Sequence, residues 1–357
     1  MQKNIWILSL LFIFVNTWAM ESSQSPSEEV RQKEREEPEF CYLPAEIFQA
    51  ELTKYLRLED IVHLRSTCKA MQDKIPQQQL MSLSYDSTRR YTEPVIHESL
   101  ISFIKHYIQG PDRLNPLHLN LSSIGIRNLP LELSQLTQLR ILSLRENRLS
   151  QQALITISTL SNLRELNLGS NGLHALPQEF RQLSQLKRLY LRKNQLNFAA
   201  LEILCQLTNL EELTLGFNDL RTLPESIRNL INLKRLVLSA NQLSTEALRI
   251  IGTHLPQLQE LDLSGNSLTS LPQEIQHVIW LKSLNLSVNH LTYETVQQLC
   301  LWFPHLEELD LNLNKLTILP SELGQLRALK RLTILDNPLS LEQQTLIRSW
   351  LPHTEIR

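Results

Sequence analysis

Glycine and cysteine are both scarce in this sequence. Only 8 glycines occur among 357 residues, which leaves little room for the glycine-rich loops that cradle phosphate groups. The cysteines, Cys41, Cys68, Cys205 and Cys300, form no C-x-x-C pair, so neither a zinc site nor a thioredoxin-like redox site is predicted. Cys205 and Cys300 fall at apolar positions and are expected to be small core residues. The sequence does not favour a disulfide between Cys41 and Cys68.

An excess of charge and the common catalytic motifs are missing as well. The formal net charge is −2, so no global field favours nucleic acid or an anionic membrane. H-E-x-x-H, G-x-S-x-G and P-loop motifs do not occur. Asp262 and Asp310 are expected two strands apart, about 9–10 Å, which is too far for the carboxylate pair of a retaining glycosidase. We therefore predict a protein that is not an enzyme and that holds no cofactor or metal ion.

The first residues carry the pattern typical of a secretory signal peptide. Lys3 supplies a positive start, residues 5–15 are apolar apart from Ser9, and small residues around Ala19 form an exit site. No later stretch approaches the ~20 consecutive apolar residues of a membrane helix. We expect a signal peptide over residues 1–19 and export of the mature chain without a membrane span. The alternative is an uncleaved N-terminal anchor.

One leucine-rich phrase dominates the rest of the chain. Its clearest copy is Leu163, Leu166, Leu168, Asn171 and Leu173. The copies end at Asn147, Asn171, Asn194, Asn218, Asn241, Asn266, Asn289, Asn314 and Asn337, and Ile124 takes that place in a degenerate first copy. The alternation of leucine with other residues predicts a short strand with one buried face. The asparagine is expected to turn inward and bond the backbone of neighbouring repeats.

Two kinds of repeat alternate, so that the true unit has 47–48 residues. After every second phrase comes a Leu-Pro pair, whose prolines are Pro130, Pro177, Pro224, Pro272 and Pro320. Because proline cannot continue a helix, these segments are expected to be extended or loosely turned. After the other phrases comes a residue that can cap a helix: Ser150, Asn197, Ser244, Thr292 and Ser340. Helices are predicted to follow these caps.

The pattern resembles the leucine-rich repeat, and the resemblance covers about two thirds of the chain. It implies an α/β solenoid with a curved parallel sheet, backed alternately by helices and by Leu-Pro turns. We assign about ten repeats to residues 114–339 and a C-terminal cap helix to residues 340–357. Residues 76–113 are expected to form a connector and an N-terminal cap helix.

Residues 40–75 resemble an F-box. The resemblance rests on Leu43-Pro44-x-Glu46-Ile47, Tyr55-Leu56, Asp60-Ile61, Leu64 and Cys68-Lys69. It implies a small helical domain that docks on a Skp-type linker of a cullin ubiquitin ligase through Leu43, Pro44, Ile47, Leu56, Ile61 and Leu64. The stretch from Leu43 to Leu56 is one residue longer than usual, and Met71 replaces the usual tryptophan. The alternative is a helical cap for the solenoid. The charged residues 20–39 are expected to be a linker.

The concave face holds a charged row and two candidate binding patches. The charged pairs are Arg164-Glu165, Lys187-Arg188, Glu211-Glu212, Lys234-Arg235, Gln259-Glu260, Lys282-Ser283, Glu307-Glu308 and Lys330-Arg331. Acids beside bases on strands about 4.8 Å apart form either a ligand-binding stripe or a self-neutralising ladder, and local cancellation favours the ladder. The first binding patch is Tyr190, Arg192, Lys193, Phe217 and Val237, expected on three successive strands. Val288, Leu313 and Leu335 are a second, more apolar patch.

Together these modules predict a non-catalytic adaptor. Its repeats would hold a target protein while the F-box-like helices recruit a host ubiquitin ligase. Because that ligase works inside eukaryotic cells, the export signal leads to a secreted effector of an intracellular bacterium, and the chain resembles effectors of that kind. The alternative is an exported or periplasmic recognition protein whose N-terminal helices only cap the solenoid. We expect a monomer that binds no nucleic acid.

Overall fold

The computed structural model describes residues 118–123 and 125–357, so the predictions for residues 1–117 and Ile124 lie outside the described residues. Within this part, eleven strands form one parallel sheet in which spatial order follows chain order. The strands are β1 His118–Asn120, β2 Ile141–Ser143, β3 Glu165–Asn167, β4 Arg188–Tyr190, β5 Glu212–Thr214, β6 Arg235–Val237, β7 Glu260–Asp262, β8 Ser283–Asn285, β9 Glu308–Asp310, β10 Arg331–Thr333 and β11 Glu355–Ile356.

The strands are short because each repeat supplies a single inward leucine at its strand centre. Leu142 pairs with Leu166, and Leu166 pairs with Leu189, so these side chains stack along the sheet. All three are completely buried. The residues on either side of each central leucine point to the opposite face, because side chains alternate along a strand. One face of the sheet is therefore core, and the other carries the variable residues.

The predicted asparagine ladder is confirmed. The Nδ2 of Asn171 donates to the carbonyl oxygens of Leu144 (2.9 Å) and Leu168 (3.0 Å). On the next repeat, Oδ1 of Asn194 accepts from the backbone N–H groups of Asn171 (3.1 Å) and Leu173 (3.0 Å). Each amide thus satisfies backbone groups in its own and the preceding repeat, which the short strands leave unpaired.

Helices cover the side opposite to the variable face in every second repeat, as predicted. They are α1 Gln151–Ser158, α2 Phe198–Leu204, α3 Thr245–His254, α4 Tyr293–Trp302 and α5 Leu341–Trp350. The predicted caps are confirmed, since the side chains of Ser150, Asn197, Ser244, Thr292 and Ser340 each accept from the N–H three residues on. None of the helices in the described residues has the length and apolar character needed to cross a bilayer.

The Leu-Pro repeats differ from the prediction, because a 3-10 helix follows each proline. These helices are Leu131–Gln135, Gln178–Gln182, Glu225–Asn229, Gln273–His277 and Ser321–Gln325. The proline itself is extended, as at Pro177 (φ −73°, ψ 153°). Its carbonyl accepts the N–H of Phe180 at 3.0 Å, and Phe180 is completely buried. The expectation of extended or loosely turned segments was therefore wrong beyond the proline, which starts a helix without needing an N–H of its own.

The last residues also add an element that the cap-helix assignment did not include. After α5 the chain turns back and forms β11, in which Glu355 pairs with Arg331 and Ile356 with Leu332 of β10. The backbone N–H of Arg357 donates to Leu332 O at 3.0 Å. β11 thus covers the edge of β10, whose backbone groups would otherwise be unpaired.

Candidate protein-binding surface on the concave face

Three rows of side chains run along the exposed face of the sheet. The strand-start row is the first residue of each strand, and the strand-end row is the last residue of each three-residue strand. The turn row is the residue directly before each repeat asparagine, where the backbone takes a left-handed conformation. The non-glycine members of the turn row with positive φ include Lys193 (57°), Phe217 (58°), Val288 (56°) and Leu313 (55°).

The turn row is a strained position that the stack of repeats stabilises. A non-glycine residue in this conformation costs about 1–2 kcal/mol relative to the ordinary helical region. The N–H of Lys193 donates to Gly216 O at 2.9 Å, and the N–H of Phe217 donates to Ser239 O at 2.8 Å. The same geometry joins Val288 to Asn312 O at 2.8 Å. Because these bonds link successive repeats, bulky side chains are held at fixed intervals along the edge of the sheet.

Four residues of the first binding patch lie in two of these rows, and Arg192 lies in neither. Tyr190 ends β4 and Val237 ends β6, and both align with Thr214 on β5. Lys193 and Phe217 instead belong to the turn row, and Arg192 lies directly before Lys193. The prediction that all five patch residues lie on strands was therefore wrong for these three. The reason is that each strand contains only three residues before the chain turns toward the asparagine.

Phe217 forms the centre of a basic and aromatic cluster. The Cζ of Arg192 lies 4.6 Å from the centroid of the Phe217 ring, and the Nζ of Lys193 lies 5.9 Å from it. Cation–π contacts at exposed sites contribute about 0.5–1 kcal/mol each. Phe217 remains 43% exposed although both cations approach it. The cluster thus presents an aromatic ring and two positive charges in a preformed arrangement.

Tyr190 of the first patch is anchored by an acidic neighbour. Its hydroxyl donates to Oε2 of Glu212 at 3.3 Å. Burial, together with the negative charge of Glu212, raises the pKa of Tyr190 to about 12. The phenol therefore stays neutral at physiological pH, with its ring half-buried against the sheet.

The charged row is occupied by cross-strand pairs, as the sequence favoured. Nε of Arg188 lies 2.7 Å from Oε2 of Glu165, and Nζ of Lys187 lies 2.6 Å from Oε1 of Glu211. The hydrogen bond from Lys187 holds the pKa of Glu211 below its usual value. Most of these acids and bases satisfy one another, so the row as a whole is not a free ligand-binding stripe.

Two of the cysteines and the two aspartates singled out in the sequence lie within the described residues. Cys205 and Cys300 are buried, which confirms them as core residues. Burial raises the pKa of Cys205 to about 11 and that of Cys300 to about 12. Asp262 and Asp310 lie on β7 and β9 with β8 between them, as predicted. Among the residues that the structure describes, no cluster of His, Cys, Asp and Glu is suited to a metal ion.

The second patch, here called the apolar strip, consists of three exposed apolar residues. Val288, Leu313 and Leu335 are 51%, 47% and 55% exposed. They lie in the turns of three successive repeats, and the N–H of Leu313 donates to Leu335 O at 3.0 Å. The N–H of Leu335 donates to Oδ1 of Asn312 at 2.6 Å. The structure thus places the three residues in neighbouring turns, with Leu335 one position before the turn row.

A further exposed apolar group escaped the sequence analysis. Ile231, Ile279 and Trp280 are 68%, 61% and 63% exposed and lie in the turns that precede β6 and β8. The corresponding residues before β4 are Ser184 and Gln185. The signal that could have found the group is the appearance of large apolar residues at positions where the other repeats have polar residues, proline or alanine.

Comparison with known proteins agrees with this architecture. A model of the leucine-rich repeat region matches residues 106–316, which is more than half of the chain. This chain belongs to the leucine-rich repeat family. A comparison with curated protein sequences finds no match.

Several solved leucine-rich repeat structures share the solenoid. A leucine-rich repeat protein of Leptospira interrogans is 28% identical, with a TM-score of 0.52 over 81% of this chain and 86% of that one. The internalin inlF of Listeria monocytogenes is 22% identical, with a TM-score of 0.53 over 70% and 71% of the two chains. The ectodomain of the plant receptor kinase GASSHO1/SCHENGEN3 from Arabidopsis thaliana, solved in complex with CASPARIAN STRIP INTEGRITY FACTOR 2, is 30% identical, with a TM-score of 0.51 over 66% and 29%.

These comparisons confirm the predicted fold class. Leucine-rich repeat proteins are in general non-catalytic interaction modules, and a protein-binding role is consistent with the exposed concave surface of this member. The likeness to the internalin concerns the fold alone. Neither the F-box-like motif nor the predicted signal peptide lies within the described residues.

Proposed function

We propose that this leucine-rich repeat protein is a non-catalytic adaptor that binds a target protein on its concave face. The observation that carries the proposal is the cluster of Arg192, Lys193 and Phe217, in which two cations and an aromatic ring are held in place before any partner arrives. Tyr190, anchored by Glu212, adds a second aromatic ring to the same patch. Aromatic and arginine side chains dominate binding hot spots, and preorganisation lowers the entropic cost of association. The plant ectodomain solved with its protein ligand supports the use of this fold for binding polypeptides.

The proposed contact site extends from Tyr190 to Val237, since Val237 continues the strand-end row on the far side of Thr214. The charged row lies next to this contact site but contributes little to binding, because acids and bases that already pair with each other offer few free charges to a ligand. The first patch is therefore assigned as the main contact site, and the apolar strip of Val288, Leu313 and Leu335 as a second one.

We predict that Tyr190→Ala weakens binding of the target by more than ~1 kcal/mol, or over fivefold in Kd. The reason is loss of an aromatic side chain that Glu212 anchors within the patch. Target proteins captured from a eukaryotic lysate by the immobilised wild-type chain would be identified and then titrated with both forms. The melting temperature should stay unchanged because Tyr190 lies outside the leucine core.

The matched control is Phe198→Ala, which removes a 52% exposed aromatic ring from the first turn of α2, behind the sheet. It should leave target binding unchanged. Equal affinity of wild type and Tyr190→Ala would remove the first patch from consideration.

We further propose that residues 40–75 act as an F-box that recruits a Skp-type linker, with Leu43, Pro44, Ile47, Leu56, Ile61 and Leu64 forming the docking helices or their supporting core. Residues 1–19 would direct export, residues 20–39 would be a linker, and residues 76–113 would connect the F-box to the repeats. The chain would then be a monomeric effector that an intracellular bacterium delivers into a host cell. The competing proposal is an exported or periplasmic recognition protein in which residues 40–75 only cap the solenoid.

A pull-down of a purified Skp-type linker by the full chain separates these two proposals. The adaptor should retain the linker, and the double substitution Leu43→Ala and Pro44→Ala should reduce retention at least tenfold by removing apolar contacts. A double substitution of Gln77→Ala and Gln78→Ala in the connector should have no effect. Absence of binding by the wild-type chain would reject the F-box function and leave the recognition protein.

A further inference from the structure

The strand-start row follows a regular alternation with a single break. From β3 to β11 its members are Glu165, Arg188, Glu212, Arg235, Glu260, Ser283, Glu308, Arg331 and Glu355. Two of the arginines bridge the acids on both sides. Arg235 lies 3.3 Å from Glu212 and 2.6 Å from Glu260, measured between side-chain nitrogen and oxygen atoms. Arg331 lies 2.8 Å from Glu308 and 3.8 Å from Glu355. The alternation predicts a third bridging base on β8.

Ser283 occupies that place and supplies no charge. Its hydroxyl donates to Oε2 of Glu308 at 3.3 Å. Its neighbour Lys282 pairs with Glu307 (3.4 Å) and so does not replace the missing base. Glu260 and Glu308 therefore face each other across β8, roughly 10 Å apart by strand spacing, without a cation between them.

The strand-end row adds two more carboxylates around the same strand. Asn285 of β8 is flanked by Asp262 on β7 and Asp310 on β9. Oδ1 of Asp262 accepts from the N–H and hydroxyl of Ser264, and Oδ1 of Asp310 accepts from the N–H of Asn312. Within residues 118–357, neither aspartate forms an ion pair, so no side-chain cation balances their charge. Glu260 and Glu308 each pair with an arginine, but only on the side away from β8.

The apolar strip borders this acidic surface along the turns. Val288 follows Asn285 by three residues in the same repeat, and Leu313 follows Asp310 by three residues. These side chains, with Leu335 in the next turn, are about half exposed. The face of β7–β10 thus combines an apolar edge with a gap in the charge ladder, and both are open to solvent.

We propose that this face docks a basic and apolar polypeptide segment, which places an arginine over Ser283 between Glu260 and Glu308 and an apolar side chain further along the segment against Val288 and Leu313. The inference rests on the proposed protein-binding function and names the chemistry of the partner. The partner arginine takes the bridging place that Arg235 and Arg331 hold elsewhere in the row. Arginine suits the place better than lysine, because its planar guanidinium can donate to two carboxylates at once.

The substitution Ser283→Arg tests the proposal, because the new arginine of the protein itself would occupy the place between Glu260 and Glu308 that the partner arginine needs. The probe is a fluorescein-labelled nonapeptide in which two leucines alternate with two arginines, so that each face of the extended peptide carries both residue types. A second peptide has glutamate in place of arginine. Fluorescence anisotropy should show the arginine peptide binding the wild-type chain and binding Ser283→Arg at least tenfold more weakly. The glutamate peptide should bind neither. The melting temperature of Ser283→Arg should be equal to or about 1 °C above that of wild type, since the new side chain gains exposed ion pairs.

The matched control is Ser184→Arg, which adds the same charge at an exposed turn before β4. It should bind the arginine peptide as wild type does. Equal weakening by both variants would reduce the effect to net charge and overturn the proposal, as would no binding by the wild-type chain.

The same variants separate this inference from the proposed function. One outcome is that a captured target loses affinity with Tyr190→Ala but not with Ser283→Arg, while the arginine peptide binds wild type and Ser283→Arg equally. That outcome supports the adaptor function and rejects the basic partner. If a captured target binds all forms equally, the concave face is not its binding surface and both proposals fail.

Discussion

Replacing Asn218 with leucine should lower the free energy of unfolding by about 3–5 kcal/mol, since each buried polar group left without a partner costs roughly 1–3 kcal/mol. The Asn218 side chain is only 2% exposed. Its Nδ2 donates to Leu191 O and Leu215 O, both at 3.0 Å, and its Oδ1 accepts the N–H of Leu196 at 3.3 Å. Leucine has a similar size but cannot form any of these bonds. Urea denaturation of the full chain, followed by circular dichroism, measures the difference.

The position of Asn218 in the middle of the stack also affects how the variant unfolds. In a solenoid each repeat contacts only its neighbours, so one weakened junction can separate the two halves. We expect the unfolding curve of Asn218→Leu to broaden or to show two transitions. The control Asn232→Leu removes one exposed hydrogen bond, from Nδ2 to Thr208 O at 3.1 Å, and should cost less than ~1 kcal/mol. Stability of Asn218→Leu within ~0.5 kcal/mol of wild type would refute the role of the ladder.

Gly252→Ala should destabilise the protein by about 2–4 kcal/mol, even though alanine is favoured over glycine in a helix by about 1 kcal/mol. Gly252 lies in α3, where the helix passes directly over the 3-10 helix of the next repeat. A Cβ atom at this position would lie 2.3 Å from Glu274 O and 2.6 Å from Ile275 N. These are backbone atoms, so relief requires the two repeats to move apart.

Gly324→Ala is the matched control for this steric effect. Its added methyl would lie 3.4 Å from Cβ of Trp350, which is an ordinary van der Waals distance. We expect its free energy of unfolding to stay within about 1 kcal/mol of wild type. If thermal melts show Gly252→Ala to be as stable as Gly324→Ala, the close packing of α3 on the following 3-10 helix is not what requires glycine.

The helix caps and the asparagine ladder could be predicted because their chemistry is local. Ser150 caps α1 with its own hydroxyl. The asparagine at the position of Asn171 recurs from repeat to repeat, and its side-chain amide can form the same hydrogen bonds each time. The conformation of the segments after the Leu-Pro pairs was harder to predict, because Pro177 alone does not specify the conformation of the residues that follow it. The 3-10 helix forms there because Phe180 becomes buried in the stacked repeats.

The binding patches also combine features that the sequence predicts with features that depend on the tertiary structure. The residue types at Tyr190 and Phe217 were visible in the sequence, but their relation was not. Phe217 lies in the left-handed turn rather than on β5, and only that placement brings Arg192 to 4.6 Å from its ring. Ser283 could likewise be read from the sequence, but only the structure shows that Arg235 and Arg331 at equivalent positions bridge acids on both sides, and therefore that a bridging base is missing at Ser283.

The sequence by itself determined the solenoid, the alternation of its two kinds of repeat and the buried positions. These follow from periodic leucine, asparagine and capping residues, whose preferences act within one repeat or between adjacent ones. Only the tertiary structure decided the 3-10 helices, the closing strand β11, the close approach at Gly252 and the location of unpaired charge on the concave face. These depend on strand register and on distances between atoms of different repeats, which no local pattern specifies.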